Sequence, residues 1–240
     1  MKKTILTTFI ISLIACFGVA QAQTLSEVLD KHFKAVGQEK MMAVNSFYMK
    51  AKVSQMAMEM PMEMKIKKPD MFIMTIEMQG QKMIQAFDGE KGWMIAPWVS
   101  PEPQELAGDQ LAQVKKQVQG NMEGELYNYD KKGSTAELMG KVNVDGKEMY
   151  RIKLTTSEGN SKDYFIDAQT FYISKVKAKV SAQGQTVDVE QVMTDNKTIN
   201  GITMPMKTET KSPMGSGFIL MEEIRYNENF DDAIFKQPAK

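Results

Sequence analysis

Met56-Ala57-Met58-Glu59-Met60-Pro61-Met62-Glu63-Met64-Lys65-Ile66 carries a methionine at every second position from 56 to 64 and keeps the beat into Ile66. Successive side chains of an extended chain point to opposite sides, so the alternation predicts β-strand with one apolar, thioether-lined face. Pro61 cannot donate to a sheet ladder and belongs at a turn, a strand start or an edge. The run is therefore expected to split at Glu59-Met60-Pro61, with Met56 and Met58 closing one strand and Met62, Met64 and Ile66 lining the next. The chain holds 22 Met against 10 Leu. Methionine is flexible and polarizable, which suits a surface that must fit more than one apolar partner, although it also fills irregular cores. Met-x-Met is in addition a soft-ligand pattern for Cu(I), but no Cys or His lies near the run to complete a site.

Lys2 and Lys3 precede an apolar run from Ile5 to Gly18, and Ala20-Gln21-Ala22 follows. This is the order of a secretory signal, with cleavage expected after Ala22 and a periplasmic mature chain starting at Gln23. Leu13-Ile14-Ala15-Cys16 resembles a lipobox, so anchoring through a lipidated Cys16 is the alternative. Cleavage after Ala22 leaves 218 residues without cysteine. Disulfides and thiolate metal sites are then excluded, and the expectation is a single domain held by its core over 23–240, a common size for undivided all-β folds. Loss of Lys2 and Lys3 leaves 28 basic and 30 acidic side chains. Such a balance excludes a basic field for nucleic acid.

Thr24-Leu25-Ser26-Glu27 is a capping box, and Leu25, Val28, Leu29, Phe33 and Val36 recur at helical spacing up to Gly37, which predicts a helix between them. His32, the only histidine, is expected to pack there and not to act as ligand or base. Strands follow from Ser46 to Ala96, divided at 59–61, 68–70, 79–81 and 88–90. Trp98, Pro101 and Pro103 predict a loop, and Leu106, Leu111, Val114 and Val118 an inserted amphipathic helix. Strands resume to the end, with turns at 145–146, 158–160, 167–169, 183–184 and 215–217. A hairpin tip at Gln183-Gly184 pairs Val180 with Val187 and Ala178 with Val189 on one face, and Lys179 with Asp188 and Lys177 with Glu190 on the other. Lys175, Lys177 and Lys179 are accordingly expected on a solvated outer face.

No Gly-x-Ser-x-Gly elbow, phosphate-cradling loop or His-Glu-x-x-His motif is present, and neither enzyme activity nor a cofactor is expected. Asp88 and Asp167 stand at apparent strand ends, where Asp commonly bonds turn backbone.

Four stretches together resemble the LolA-like outer-membrane lipoprotein-sorting proteins: Lys68-Pro69-Asp70-Met71-Phe72, Phe87-Asp88-Gly89-Glu90-Lys91-Gly92-Trp93, Asp163-Tyr164-Phe165-Ile166-Asp167-Ala168, and Phe230-Asp231-Asp232-Ala233-Ile234-Phe235 with Pro238. The resemblance implies a mainly β (α+β) fold, an antiparallel sheet curled into an incomplete barrel with a few helices covering the open side. It implies a monomeric carrier of lipoprotein acyl chains, or of other lipids, loaded by an inner-membrane ABC transporter and unloaded to an outer-membrane acceptor. On this reading Met49, Met62, Met64, Ile66, Phe72, Met74 and Trp93 line the cavity, and Leu111, Val114 and Val118 belong to the lid. Ile73 replaces an arginine that latches the lid in better-known members, which puts that latch and the lipoprotein cargo in question. The alternatives are an envelope scaffold of the same fold without cargo transfer, and a methionine-rich copper carrier.

Overall fold

A computed structural model describes residues 23–55, 58–182 and 185–238, with the side chains of 116–122, 181, 182 and 185 outside the description. The expected leader with Cys16, the Met56 position and the Gln183-Gly184 tip therefore lie outside the described residues. Helix α1 (Leu25–Val36) opens with the expected box: the Thr24 hydroxyl accepts from the Glu27 amide and the Glu27 carboxylate from the Thr24 amide. Gly37, in the left-handed conformation at φ 72°, ends it and leads into the short α2 (Gln38–Met42).

Six strands follow: β1 (Ser46–Gln55), β2 (Met58–Lys67), β3 (Met71–Met78), β4 (Gln81–Phe87), β5 (Gly92–Ala96) and β6 (Ser100–Leu106). Helix α3 (Gly108–Glu123) comes next, and then β7 (Thr135–Val144), β8 (Lys147–Thr155), β9 (Ser161–Asp167), β10 (Ile173–Ala182), β11 (Gln185–Ile199), β12 (Ile202–Ser212) and β13 (Gly215–Tyr226). A 3-10 helix (Asp232–Phe235) closes the chain. All 13 strands form one antiparallel sheet in the order β6-β5-β4-β3-β2-β1-β13-β12-β11-β10-β9-β8-β7. The sheet is not closed into a barrel. Its two edges, β6 and β7, are neighbours in sequence, and α3 lies in the connection between them.

Alternation gives this sheet two unlike faces. The inner face carries two apolar clusters, one spanning β1–β5, β12, β13 and α3 around Phe47, Ile66, Phe72 and Phe87, the other holding α1 on β8–β10 around Val28, Ile152 and Ile166. The outer face carries ion pairs, among them Lys52–Glu222, Arg151–Asp163 and Lys177–Glu190. The expected β10–β11 register is present, with Lys177 opposite Glu190 and Val180 opposite Val187. Lys175 departs from the expected solvated ladder. It is buried beside Phe165 and Val192, with its ammonium 3.1 Å from Asp145 and 3.6 Å from Glu190.

Both proline expectations need correction. Pro61 does not divide the methionine run, because β2 is continuous from Met58 and Pro61 sits opposite Lys52 of β1. Pairing with β3 ends at Met62, so the ladder does not need the absent N–H. Pro101 and Pro103 lie within a strand and not a loop. That strand, β6, is a sheet edge, where proline is tolerated and blocks further strand pairing. Leu106 ends β6 instead of starting the helix, and the last turn falls before Gly215.

Gly37 pins the helices to the sheet. A Cβ there would lie 2.0 Å from the Gly201 carbonyl oxygen in the β11–β12 turn. Gly146 has a similar φ of 81° but nothing within 4 Å of its virtual Cβ. In urea unfolding, Gly146→Ala should cost only the left-handed penalty, about 1 kcal/mol. Gly37→Ala should cost at least about 2 kcal/mol more, because backbone must move. Equal costs would show that the helix junction is not held against this turn.

Candidate functional site

Register assembles the inner face residue by residue. One row crosses six strands as Met94, Gln85, Met74, Met64, Met49 and Ile224. The next holds Ile76, Met62, Ala51 and Met221. Because β2 is unbroken, Met58, Met60, Met62, Met64 and Ile66 all share this face. Met204 and Met206 of β12 join the same cluster, and the Tyr226 hydroxyl lies 3.3 Å from the Met204 sulfur. Burial pushes the Tyr226 phenol up to about 12. Along this face of β2, Ile66 and Met62 are buried at 2 % and 6 % with Met64 partly exposed between them, and exposure then rises through Met60 to 45 % at Met58. The inner face therefore opens toward the start of β2 and is covered at the other end, where α2 packs through Met41.

Six of the predicted cavity residues, Met49, Met62, Met64, Ile66, Phe72 and Met74, come together here. Ile66 pairs with Phe72 and Met64 with Met74. Trp93 does not join them. It pairs with Ala86, itself opposite Ile73, and so stands on the outer face. One residue along a strand reverses the face. There the indole N–H donates 2.7 Å to the carbonyl of Phe235, whose ring is fully buried under the terminal 3-10 helix. Ile73 shares that outer face, opposite Lys65. A side chain at 73 is thus separated from α3 by the sheet, and no latch to the helix starts from this position.

Helix α3 packs on the inner face. Val114 is 1 % exposed in the cluster with Phe87 and Leu106, and a Cβ on Gly92 would lie 3.0 Å from Leu111 Cδ1. Gly92 thus lies directly beneath the helix, against Leu111 and Leu106. Val118 lies on α3 with its side chain outside the described residues. Met94, Met204, Met206 and Met221 were not among the predicted lining residues. Met204-Pro205-Met206 repeats the two-residue period of the first run, and that signal was available.

The polar groups have structural partners. Asp88 Oδ1 accepts from the amides of Glu90 and Lys91, and Asp167 Oδ1 from those of Gln169 and Thr170. Glu125 accepts from Lys162 at 2.5 Å and from the Tyr164 hydroxyl. Among the described residues, no three His, Cys, Asp or Glu side chains converge as a metal site would require.

No family model and no curated protein matches the sequence. Solved structures do share its architecture. A DUF1329 family protein from Desulfovibrio piger superposes with a TM-score of 0.59 at 15% identity, covering 87% of this chain and 97% of that one. A LolA superfamily protein from Nitrosomonas europaea gives 0.57 at 17% identity, with 90% and 98% covered. The fold is LolA-like. A domain from Vibrio parahaemolyticus named for outer membrane lipoprotein sorting gives 0.55 at 10% identity, with 87% and 97% covered.

His32 is held inside this fold. It is buried on α1 with Nδ1 2.8 Å from the Phe171 carbonyl oxygen, so Nδ1 carries the proton and donates. Burial holds the imidazole below its usual range, partly opposed by that hydrogen bond. The unfolded chain therefore takes up the proton first. Stability is complete above the unfolded value, about 6.5, and is lost as pH falls from there through the lower folded value. Unfolding free energy should drop between neutral pH and mildly acidic pH in the wild type and stay flat in His32→Asn. A flat wild-type profile would contradict the burial assignment.

Proposed function

We propose that the protein is an envelope carrier, acting in the periplasm, that holds the acyl chains of a lipoprotein or another lipid against its inner face. The observation that carries this reading is the thioether-lined inner face, with Met94, Met74, Met64 and Met49 in one row across adjacent strands and Met64, Met62, Met60 and Met58 along β2 toward the open end. A lipid tail is floppy and variable, and methionine repacks around such a partner at little rotamer cost. Gln85, within that row, offers an amide to an ester or carboxylate. The lipoprotein-sorting name of the Vibrio relative and the secretory-type N-terminus support the same reading. In that role the monomer would collect cargo from an inner-membrane transporter and pass it to an outer-membrane acceptor. Methionines along one face of β2 recur every 6.6 to 6.8 Å or so, a spacing that suits a long apolar ligand better than a single copper ion.

Burial of a lipid chain gains about 0.8 kcal/mol per methylene. A polar residue in the wall should therefore weaken binding before it prevents folding. Displacement of a fluorescent fatty-acid probe should show a clear loss for Met64→Asn and little change for Lys65→Asn, which alters the opposite face, both with native circular dichroism. Equal binding by both variants, or no binding by the wild type, would favour a scaffold that has kept the fold without cargo.

A further inference from the structure

Six of the eight large apolar side chains left exposed among the described residues lie at one end of the sheet. They are Met58, Trp98, Val99, Val180, Met214 and Ile219. The antiparallel order brings to this end the β5–β6 and β12–β13 turns, the facing ends of β1 and β2 and of β10 and β11, and the more polar β3–β4 and β8–β9 turns. It is also the end at which the thioether-lined face is open. Trp98 is 50 % and Val99 78 % exposed at the tip of the β5–β6 turn, and Met214 is 54 % exposed at the β12–β13 turn.

Both turns satisfy backbone groups internally. The Val99 amide donates 2.8 Å to the Ala96 carbonyl, the Met214 amide donates 3.2 Å to the Ser212 hydroxyl, and that hydroxyl donates 3.1 Å to the Gly215 carbonyl. Such turns can enter a region poor in water without stranding these polar groups. A cleft of about 360 Å³ opens at the β12–β13 turn beside the end of β1, lined by Val53, Met214, Phe218 and Ile219. Charges at this end are of both signs, Glu59, Glu77 and Glu102 among the acids and Lys82, opposite Glu77, and Lys211 among the bases. Attraction there is apolar and not electrostatic. Apolar tips on separate turns form a front and not a groove, which fits a deformable partner better than a peptide segment.

We propose that this end of the sheet docks on a phospholipid bilayer, with Trp98 and Val99 at the boundary of headgroups and acyl chains and the Met58 end of the inner face opening onto the lipid. Tryptophan favours that boundary because its ring is apolar while its N–H stays hydrated. The proposal rests on the lipid-carrier reading and assigns it an entry route.

The chain reports on its own docking. It has two tryptophans, and Trp93 is 2 % exposed, so quenching by vesicles of phosphatidylethanolamine and phosphatidylglycerol with brominated acyl chains reads Trp98. The wild type should float with these vesicles, lose part of its tryptophan emission, and remain bound in high salt. The double variant Trp98→Glu, Val99→Glu should partition at least about ten-fold more weakly, a difference of about 1.4 kcal/mol, while binding the soluble fatty-acid probe as the wild type does. Docking is overturned if the wild type stays out of the vesicle fraction, if the double variant floats equally well, if salt strips the protein off, or if Trp98 is instead hidden in a dimer. Flotation by a wild type that binds no fatty-acid probe would retain the docking surface and reject the carrier.

Discussion

The pairing of β1 with β13 is the contact on which the rest of the architecture depends. It joins Phe47 to Tyr226 and Met49 to Ile224 across nearly the whole chain, and so turns two separate meanders into one sheet. The close approach is built in at Gly217, where a Cβ would lie 2.3 Å from the Ser54 carbonyl oxygen. A shift of register between Lys50 and Ala51 absorbs one extra residue of β13 and keeps the inner-facing residues of both strands in phase. Once this seam forms, β6 and β7 become the two edges, and α3, between them in sequence, is left against the inner face. Contacts this distant in sequence make for slow folding.

The two faces then answer different needs. Cross-strand ion pairs on the outer face, such as the two-pronged contact of Arg151 with Asp163 at 2.9 and 3.0 Å, keep that surface solvated and hold register at small energetic gain. The inner face has few such directional contacts among its thioethers. It is fixed at one end by Phe72, Phe87 and Val114, all nearly inaccessible, and loosens toward Met58. A wall that is rigid at its base and adaptable at its mouth can accept chains of differing length. The C-terminal segment braces the outside of the same strands, with Lys67 donating 2.9 Å to the Phe230 carbonyl and Trp93 holding Phe235.

Much of this was legible in the chain because the signals are local. Thr24, Glu27 and Gly37 mark both ends of α1 through caps that operate within one turn. The β10–β11 register follows from alternating apolar residues and opposite charges on either side of Gln183-Gly184 in the sequence. The failures arise where a residue's meaning depends on distant strands. Pro61 and Pro103 look like breaks until one knows that a neighbouring ladder has ended or that the strand is an edge. The resemblance puts Trp93 in the cavity, yet the side it faces is set by pairing with Ala86. Lys175 reads as solvated because nothing local announces Asp145 across the sheet. Six of the seven expected lining residues share the inner face because they follow the two-residue period of the strand, the one rule that carries from sequence to sheet unchanged.

The central claim is that the methionine-lined face exists to hold lipid. Native mass spectrometry of the full-length gene product purified from its envelope fraction tests it most directly. A noncovalent lipid, identified after release from the folded chain, is the result this account predicts. A chain that carries no lipid, or carries copper in its place, would contradict it.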